Sequence, residues 1–230
     1  MVKPRSSRLG IVSLSALLTC LSQWTLAPCV DRGCTQSSAD AQQPEEDRGT
    51  YFPTDQAFAL DGFASTLDRG MYSAVLESMQ EPPLCGNEKA VEEYRFLWVR
   101  TFHDIVAVRA SRSRRTPVLH VRVLRGFSID AADQDGKIVE YKAGELVFTD
   151  ERILREEEWE KLVTQIADLD FWTQPTGEMH TGVDGAAWLL EGAKAGEYHA
   201  VSRWSPREGA FRQTCLTLLS MAQKDFGEIY

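Results

Sequence analysis

The chain has 230 residues, with 25 Lys and Arg against 34 Asp and Glu and a formal net charge of −9. An acidic excess on this scale repels phosphate backbones and anionic lipid, which argues against nucleic acid as a partner and leaves any hold on a membrane to the N-terminal segment. Hydrophobic residues make up 43% of the chain, enough for a packed core, and the length suits one domain with an N-terminal extension.

Lys3, Arg5 and Arg8 precede the apolar run Leu9–Leu18, the charged region and hydrophobic region of a secretory signal. Three fates stay open. Leu17-Leu18-Thr19-Cys20 resembles a lipoprotein cleavage box, with lipidation at Cys20, although Thr19 stands where a smaller residue is preferred. Ala39-Asp40-Ala41 offers an ordinary cleavage site. Leu9 to Ala27 approaches the ~20 apolar residues that span a bilayer, though Ser13, Ser15, Thr19, Ser22 and Gln23 make it a poor anchor. The reading is therefore an export signal or membrane anchor over 1–27, a disordered tether over 28–60 and one domain over 61–230, in the periplasm or outside the cell. From Gln36 to Asp55 the chain is Ser, Gln, Pro, Glu and Asp with few apolar groups, too little to offset ordering entropy. Residues 1–41 hold Lys3, Arg5, Arg8 and Arg32 against Asp31 and Asp40, so the remainder carries 21 basic and 32 acidic groups, a charge of −11.

Cys20, Cys29 and Cys34 belong to that extension, which leaves Cys85 and Cys215 in the folded part. An oxidising compartment invites a disulfide between the two; two separate buried thiols are the alternative.

Leu67, Met71, Ala74, Val75 and Met79 recur at helical spacing and predict a short amphipathic helix over 67–80, ended by Pro82-Pro83. Tyr94 to Phe102 alternates aromatic groups with others and runs on through Ile105 to Val108, so His103-Asp104 is read as a bulge or bend. Arg109, Arg112, Arg114 and Arg115 crowd a turn closed by Pro117, read as a solvated hairpin tip, with a docking point as the sharper alternative. Leu119, Val121 and Val123 share one face of a half-buried strand. The acidic loop Asp130–Ile138 fails as a calcium loop, because placing Gly136 at the invariant sixth position puts Ala131 first and Lys142 twelfth. Its Asp135-Gly136 pair signals a hairpin instead. Two short strands are expected at 138–142 and 145–149, around Gly144.

Trp159, Leu162, Val163, Ile166 and Leu169 predict a helix over 155–169, with Glu156, Glu157 and Glu158 at its positive N-terminal end. Phe171 and Trp172 follow as cover for a sheet. Farther on, Ser205-Pro206-Arg207-Glu208 reads as a capping box with proline at the first helical position. It opens a last helix over 206–224 with the stripe Phe211, Cys215, Leu218, Leu219 and Ala222.

Between those helices, Ala186–Glu191 and Tyr198–Trp204 are strand formers around Lys194-Ala195-Gly196, a β-hairpin with the glycine its reversal requires. A turn over Lys194–Glu197 sets Ala193 opposite Tyr198, Glu191 opposite Ala200 and Trp188 opposite Arg203. Trp188, Leu190, His199, Val201 and Arg203 then share one face, with Leu189, Glu191, Tyr198 and Trp204 on the other. Both faces are covered, which suits a central position in the sheet better than an edge.

Tyr94-Arg95-Phe96-Leu97-Trp98, Phe171-Trp172, Asp184-Gly185-x-x-Trp188-x-x-Glu191, Tyr198-His199-x-Val201-x-Arg203-Trp204-Ser205-Pro206 and Cys215-Leu216-x-Leu218-Leu219 stand in this order. Over roughly residues 80 to 222 the chain resembles an uncharacterised family of small bacterial proteins, often with an export signal. The resemblance implies a shared fold and brings no activity, ligand or catalytic residue with it.

An enzyme needs a general base with a partner. Glu191 and His199 on adjacent strands, with Asp184 at the hairpin mouth and His180 just before it, are the candidates for a hydrolase-like site. Parity opposes them, because Glu191 and His199 point to opposite faces and a two-residue shift of pairing leaves that unchanged. His103, His120, His180 and His199 lack ligand spacing, and neither a glycine-rich phosphate loop nor a G-x-S-x-G elbow is present. No metal or cofactor is expected. The architectural reading pairs Trp188 with Arg203 in a cation–π contact worth ~0.5–2 kcal/mol and lets Glu191 hold Arg95 or Arg100. Arg203, Trp188 and Arg100 are the candidate binding residues.

These elements predict an α+β domain: a mostly antiparallel sheet of five or six strands, with the helices near 155–169 and 206–224 on one face and that near 67–80 against an edge or end. The function expected is a non-catalytic exported protein that binds a small ligand or an envelope protein, with the hydrolase-like enzyme as the alternative.

Overall fold

Six antiparallel strands form the central sheet of the computed structural model, which describes residues 51–53, 64–86, 91–132, 138–177 and 184–230. The expected export segment with Cys20, Cys29 and Cys34, most of the expected tether, the acidic residues at 133–137 and His180 lie outside the described residues. The elements are α1 (Ala64–Ser78), β1 (Val91–Arg100), β2 (Ile105–Ser113), β3 (Thr116–Arg125), β4 (Ser128–Ala132), β5 (Ile138–Lys142), β6 (Glu145–Ile153), α2 (Glu156–Asp168), β7 (Ala186–Lys194), β8 (Glu197–Trp204) and α3 (Ala210–Met221). The sheet order is β6-β3-β2-β1-β7-β8, and β4 and β5 form a separate two-stranded ribbon. The protein is an α+β fold.

Period-two alternation sorts the strand side chains onto two faces. Tyr94, Phe96, Trp98, Val108, Val121, Trp188 and Val201 face one way and meet Trp159, Leu162 and Ile166 of α2 with Phe211, Cys215 and Leu218 of α3. Leu97, Ala107, Leu189 and Ala200 face the other way and meet Tyr72, Val75, Leu76 and Met79 of α1. The last helix and α2 therefore share a face, as expected, but α1 covers the opposite face instead of an edge. Its partners explain the placement: Phe52 is fully buried beside Tyr72 at 6.3 Å between ring centroids, and Tyr51 donates to the Glu81 carbonyl at 2.8 Å. Tyr51–Pro53 thus belong to the fold, although their composition places them in the tether.

The run from Tyr94 to Val108 is two strands, not one bent strand. The chain reverses over residues 101–104, so that Trp98 pairs with Val106 and Val91 with Ser113. A single strand would leave half of these apolar groups outside the layers, whereas the reversal gives each face two rows. Of the basic cluster after it, Arg114 and Arg115 form the exposed hairpin tip, while Arg109 is buried and Arg112 bonds Glu156 at 2.6 Å. The strands at 138–142 and 145–153 do not pair with one another: β5 joins β4, and β6 continues to Ile153 beside β3.

Glu158 accepts from the Arg155 backbone N–H at 2.9 Å, so the glutamates at the start of α2 work as end-capping charges. The start of α3 differs from expectation. Its first residue is Ala210, with Gly209 as the N-cap at φ 98°, four residues beyond the proposed proline start. Ser205 is committed elsewhere: its Oγ accepts from the Ala186 N–H at 2.9 Å, and its own N–H donates to the Ala186 carbonyl at 2.8 Å. A hydroxyl clamped across the hairpin cannot also cap a helix.

Candidate functional site

The β7–β8 hairpin has the register its sequence predicts, with Trp188 opposite Arg203, Glu191 opposite Ala200 and Ala193 opposite Tyr198. Ala195 and Gly196 form its turn at φ 52° and 85°, the left-handed pair that matches the twist of two-residue hairpins. β7 is internal to the sheet, whereas β8 is an edge strand. That edge looks central in sequence because residues 171–176 close over it: His199 lies 5.2 Å from Phe171, centroid to centroid, and the Ser202 N–H donates to the Thr176 carbonyl.

On the α1 face, Glu191 sits directly across from Arg95 of β1. Arg95 Nε and Nη2 reach the two Glu191 oxygens at 2.7 and 2.9 Å, both side chains are fully buried, and the Tyr198 hydroxyl donates to Glu191 at 3.0 Å. Arg95 Nη1 also donates to the Pro82 carbonyl at 2.7 Å. Arg109, the Cα partner of Arg95 on β2, bonds Glu81 at 2.8 Å and Glu93 at 3.1 Å. Burial disfavours the Arg95 charge, but the Glu191 carboxylate outweighs it and holds the guanidinium above its ordinary range. Burial, reinforced by Glu191, pushes the Tyr198 phenol well up. Glu191 therefore holds Arg95, not Arg100, in a network in which both side chains are fully buried.

On the other face, His199 packs against Phe171 and Trp172, and its Nε2 lies 2.9 Å from the Gln174 carbonyl. A carbonyl only accepts, so Nε2 carries the hydrogen. Burial lowers the pKa of the ring below its ordinary value. His199 and Glu191 are on opposite sides of the sheet, and Asp184 lies exposed at the far end of the hairpin. The fold does not bring the hydrolase-like set Glu191, His199 and Asp184 together.

The binding candidates are distributed as follows. Arg203 and Trp188 are register partners but not a cation–π pair. Arg203 donates to the Pro175 carbonyl at 3.0 Å and the Ser202 carbonyl at 2.8 Å and lies over Phe211, while Arg212 of α3 takes the place over Trp188 at 5.0 Å. The two planar carbonyl contacts draw the Arg203 fork toward the segment over the β8 edge, which leaves the indole face to the helix. Arg100 lies over Trp98 at 4.3 Å and donates to the Asp104 and Phe226 carbonyls. Burial lowers its pKa.

Cys85 and Cys215 do not meet. Cys215 is buried on the core-facing side of α3, where burial pushes its thiol well up, whereas Cys85 follows the Pro82 segment that bonds Arg95 on the α1 face. The sheet separates them, so no disulfide joins them.

Where β7 begins and β8 ends, a pocket of about 570 Å³ opens. Gly185, at φ 150°, forms part of its floor. A Cβ there would fall 2.5 Å from Ser205 Oγ and 3.0 Å from the Trp204 ring, so only glycine fits under the clamp. Residues 222–230 return along β1 and β7 to form another wall: Trp188 Nε1 donates to the main-chain oxygen of Tyr230 at 3.0 Å, and His103 Nδ1 lies 2.8 Å from the Tyr230 hydroxyl. Asp184, Arg207 and Glu228 line the pocket and make no ion pair or hydrogen bond with described residues. Arg212 completes it and donates to the Pro206 carbonyl at 2.9 Å. Of the three exposed large hydrophobic residues among those described, Phe102 and Ile229 stand on its rim.

The sequence singled out Asp184 but none of the other charged groups of this pocket. Arg207 and Arg212 come from the entry to α3 and its first turn and Glu228 from the tail, while the β1–β2 turn adds Phe102 and His103, a convergence that no spacing encodes. Arg207 carried the one visible signal, a basic residue in a segment the capping-box pattern explained too easily. Among the described residues no cluster of His, Cys, Asp and Glu is arranged to hold a metal ion, and no helix is long and apolar enough to cross a membrane. No family model matches the chain, and no curated protein proves similar to it.

Proposed function

We propose that the chain is an exported, non-catalytic binding protein of the cell envelope, and that the pocket at the open end of the β7–β8 hairpin takes its ligand. The observation that carries this reading is a division of labour among charges. Arg95, Arg109, Glu81, Glu93 and Glu191 are consumed within the fold, while Asp184, Arg207 and Glu228 surround a concave space without a partner among the described residues. A pocket of this size with a few convergent polar groups on apolar walls is the general form of a small-ligand site. The N-terminal charged and apolar segments support export.

A thermal-shift screen of the purified protein against metabolites tests it. A ligand at 100 times its Kd stabilises by about 2.7 kcal/mol, a rise of roughly 5–10 °C for a domain of this size. The hit should lose its shift in Arg207→Glu, an exposed position whose substitution leaves the unliganded melting temperature unchanged. A shift that persists in that variant places the site elsewhere, and turnover of the hit overturns the non-catalytic reading.

A further inference from the structure

We infer that the ligand of this pocket is a zwitterion with an apolar side chain, in chemical class a hydrophobic amino acid or short peptide; the inference rests on the pocket being the binding site. Its lining separates charge by origin. The cations Arg207 and Arg212 come from just before α3 and from its first turn, whereas the carboxylates Asp184 and Glu228 come from just before β7 and from the tail. Two guanidinium groups against two carboxylates make these four charges sum to zero, in a protein whose formal charge is −9.

A simple anion would leave the two carboxylates unpaired, and a simple cation would leave Arg207 so, since Arg212 already donates to the Pro206 carbonyl and lies over Trp188. A molecule with one group of each sign satisfies both sides, with the carboxylate on the planar Arg207 fork and the ammonium on Asp184. Phe102 and Ile229, 71% and 41% exposed on the rim, supply the apolar contact that such a ligand's side chain would cover. Exposed hydrophobic groups gathered at one opening point to something that covers them. The volume of about 570 Å³ falls within the range of small-ligand sites.

Isothermal titration of the full chain with leucyl-leucine, its N-acetyl form and its C-terminal amide tests this. Expected is measurable binding of the free dipeptide and at least a tenfold loss on capping either end. Arg207→Ala should abolish the penalty for amidation only, and Asp184→Asn the penalty for acetylation only, with circular dichroism showing both variants folded. Equal binding of capped and uncapped forms, or no binding of any of the three, overturns the zwitterion. If the thermal-shift screen still yields a ligand lost on Arg207→Glu, the ligand class alone falls. If it yields none, the binding site falls with it.

Discussion

Arg95 and Glu191 stand opposite each other on adjacent central strands and close a two-bond fork with every atom of both side chains hidden from solvent. Removing one partner strands the other charge in the core, a loss of ~3–5 kcal/mol. Glu191→Ala should therefore lower the unfolding free energy by that amount in urea titration with the slope unchanged. The double variant Arg95→Met/Glu191→Leu should recover most of it. Native stability in Glu191→Ala, together with loss of a hydrolytic activity that the parent shows, would return the residue to a catalytic role.

Acid sensitivity has one identifiable contributor at the start of α2. The side-chain hydrogen bonds from Arg152 hold the Glu158 carboxyl down to about 2, from an ordinary 4.5. A depressed carboxylate pKa stabilises the fold above the unfolded value, and that stabilisation fades as pH falls through 4.5 toward 2. With solvent screening the contribution is about 1 kcal/mol. Glu158→Gln should be less stable than the parent by that margin above pH 5, and the two should converge near pH 2.

His199 acts with the same sign through a different cause. Burial lowers its pKa in the folded protein, as it does for His120, so the unfolded chain binds protons first. Stability then declines as pH falls from 6.5 toward the folded pKa values and levels off below them. His199→Phe should flatten part of this slope in denaturant titrations between pH 5 and 7, with His120 supplying the remainder. A His199 ring that titrates by NMR at or above 6.5 would contradict the buried, neutral imidazole.

Because the sheet stands between Cys85 and Cys215, their substitutions should act independently. Cys215→Ala should destabilise by about 1–2 kcal/mol through lost packing, Cys85→Ala by less, and the double variant by the sum. A crosslinked peptide joining the two in a non-reducing digest would refute the separation.

Gly185→Ala places a methyl group against Ser205 Oγ at 2.5 Å on backbone at φ 150°. Strain of this kind costs about 2 kcal/mol, measurable as a fall in melting temperature. Because the clamp forms the pocket floor, ligand shifts in the thermal screen should drop with it.

The hairpin register was legible because Ala195-Gly196 fixes the turn and the turn fixes every pair beyond it, down to the opposite facing of Glu191 and His199. α2 and the antiparallel sheet followed from periodicity, whereas the seat of α1 on the second face of that sheet did not. What escaped was decided by competition between partners far apart in sequence. Arg203 chose main-chain carbonyls at 175 and 202 over the indole across from it. Ser205 chose a strand N–H over a helix end. Phe52 found a cavity beside Tyr72 that tether composition conceals. The pocket escaped for the same reason, since its walls are assembled by three chain reversals.

The bond from Ser202 to the Thr176 carbonyl interrupts the row of amides and carbonyls that β8 would otherwise offer a passing chain. At the opposite border, β6 exposes Asp150 on one face and Glu151, beside His120, on the other, so an incoming strand meets charge next to the backbone. With one flank interrupted and the other electrically guarded, the sheet offers fibril growth a poor template.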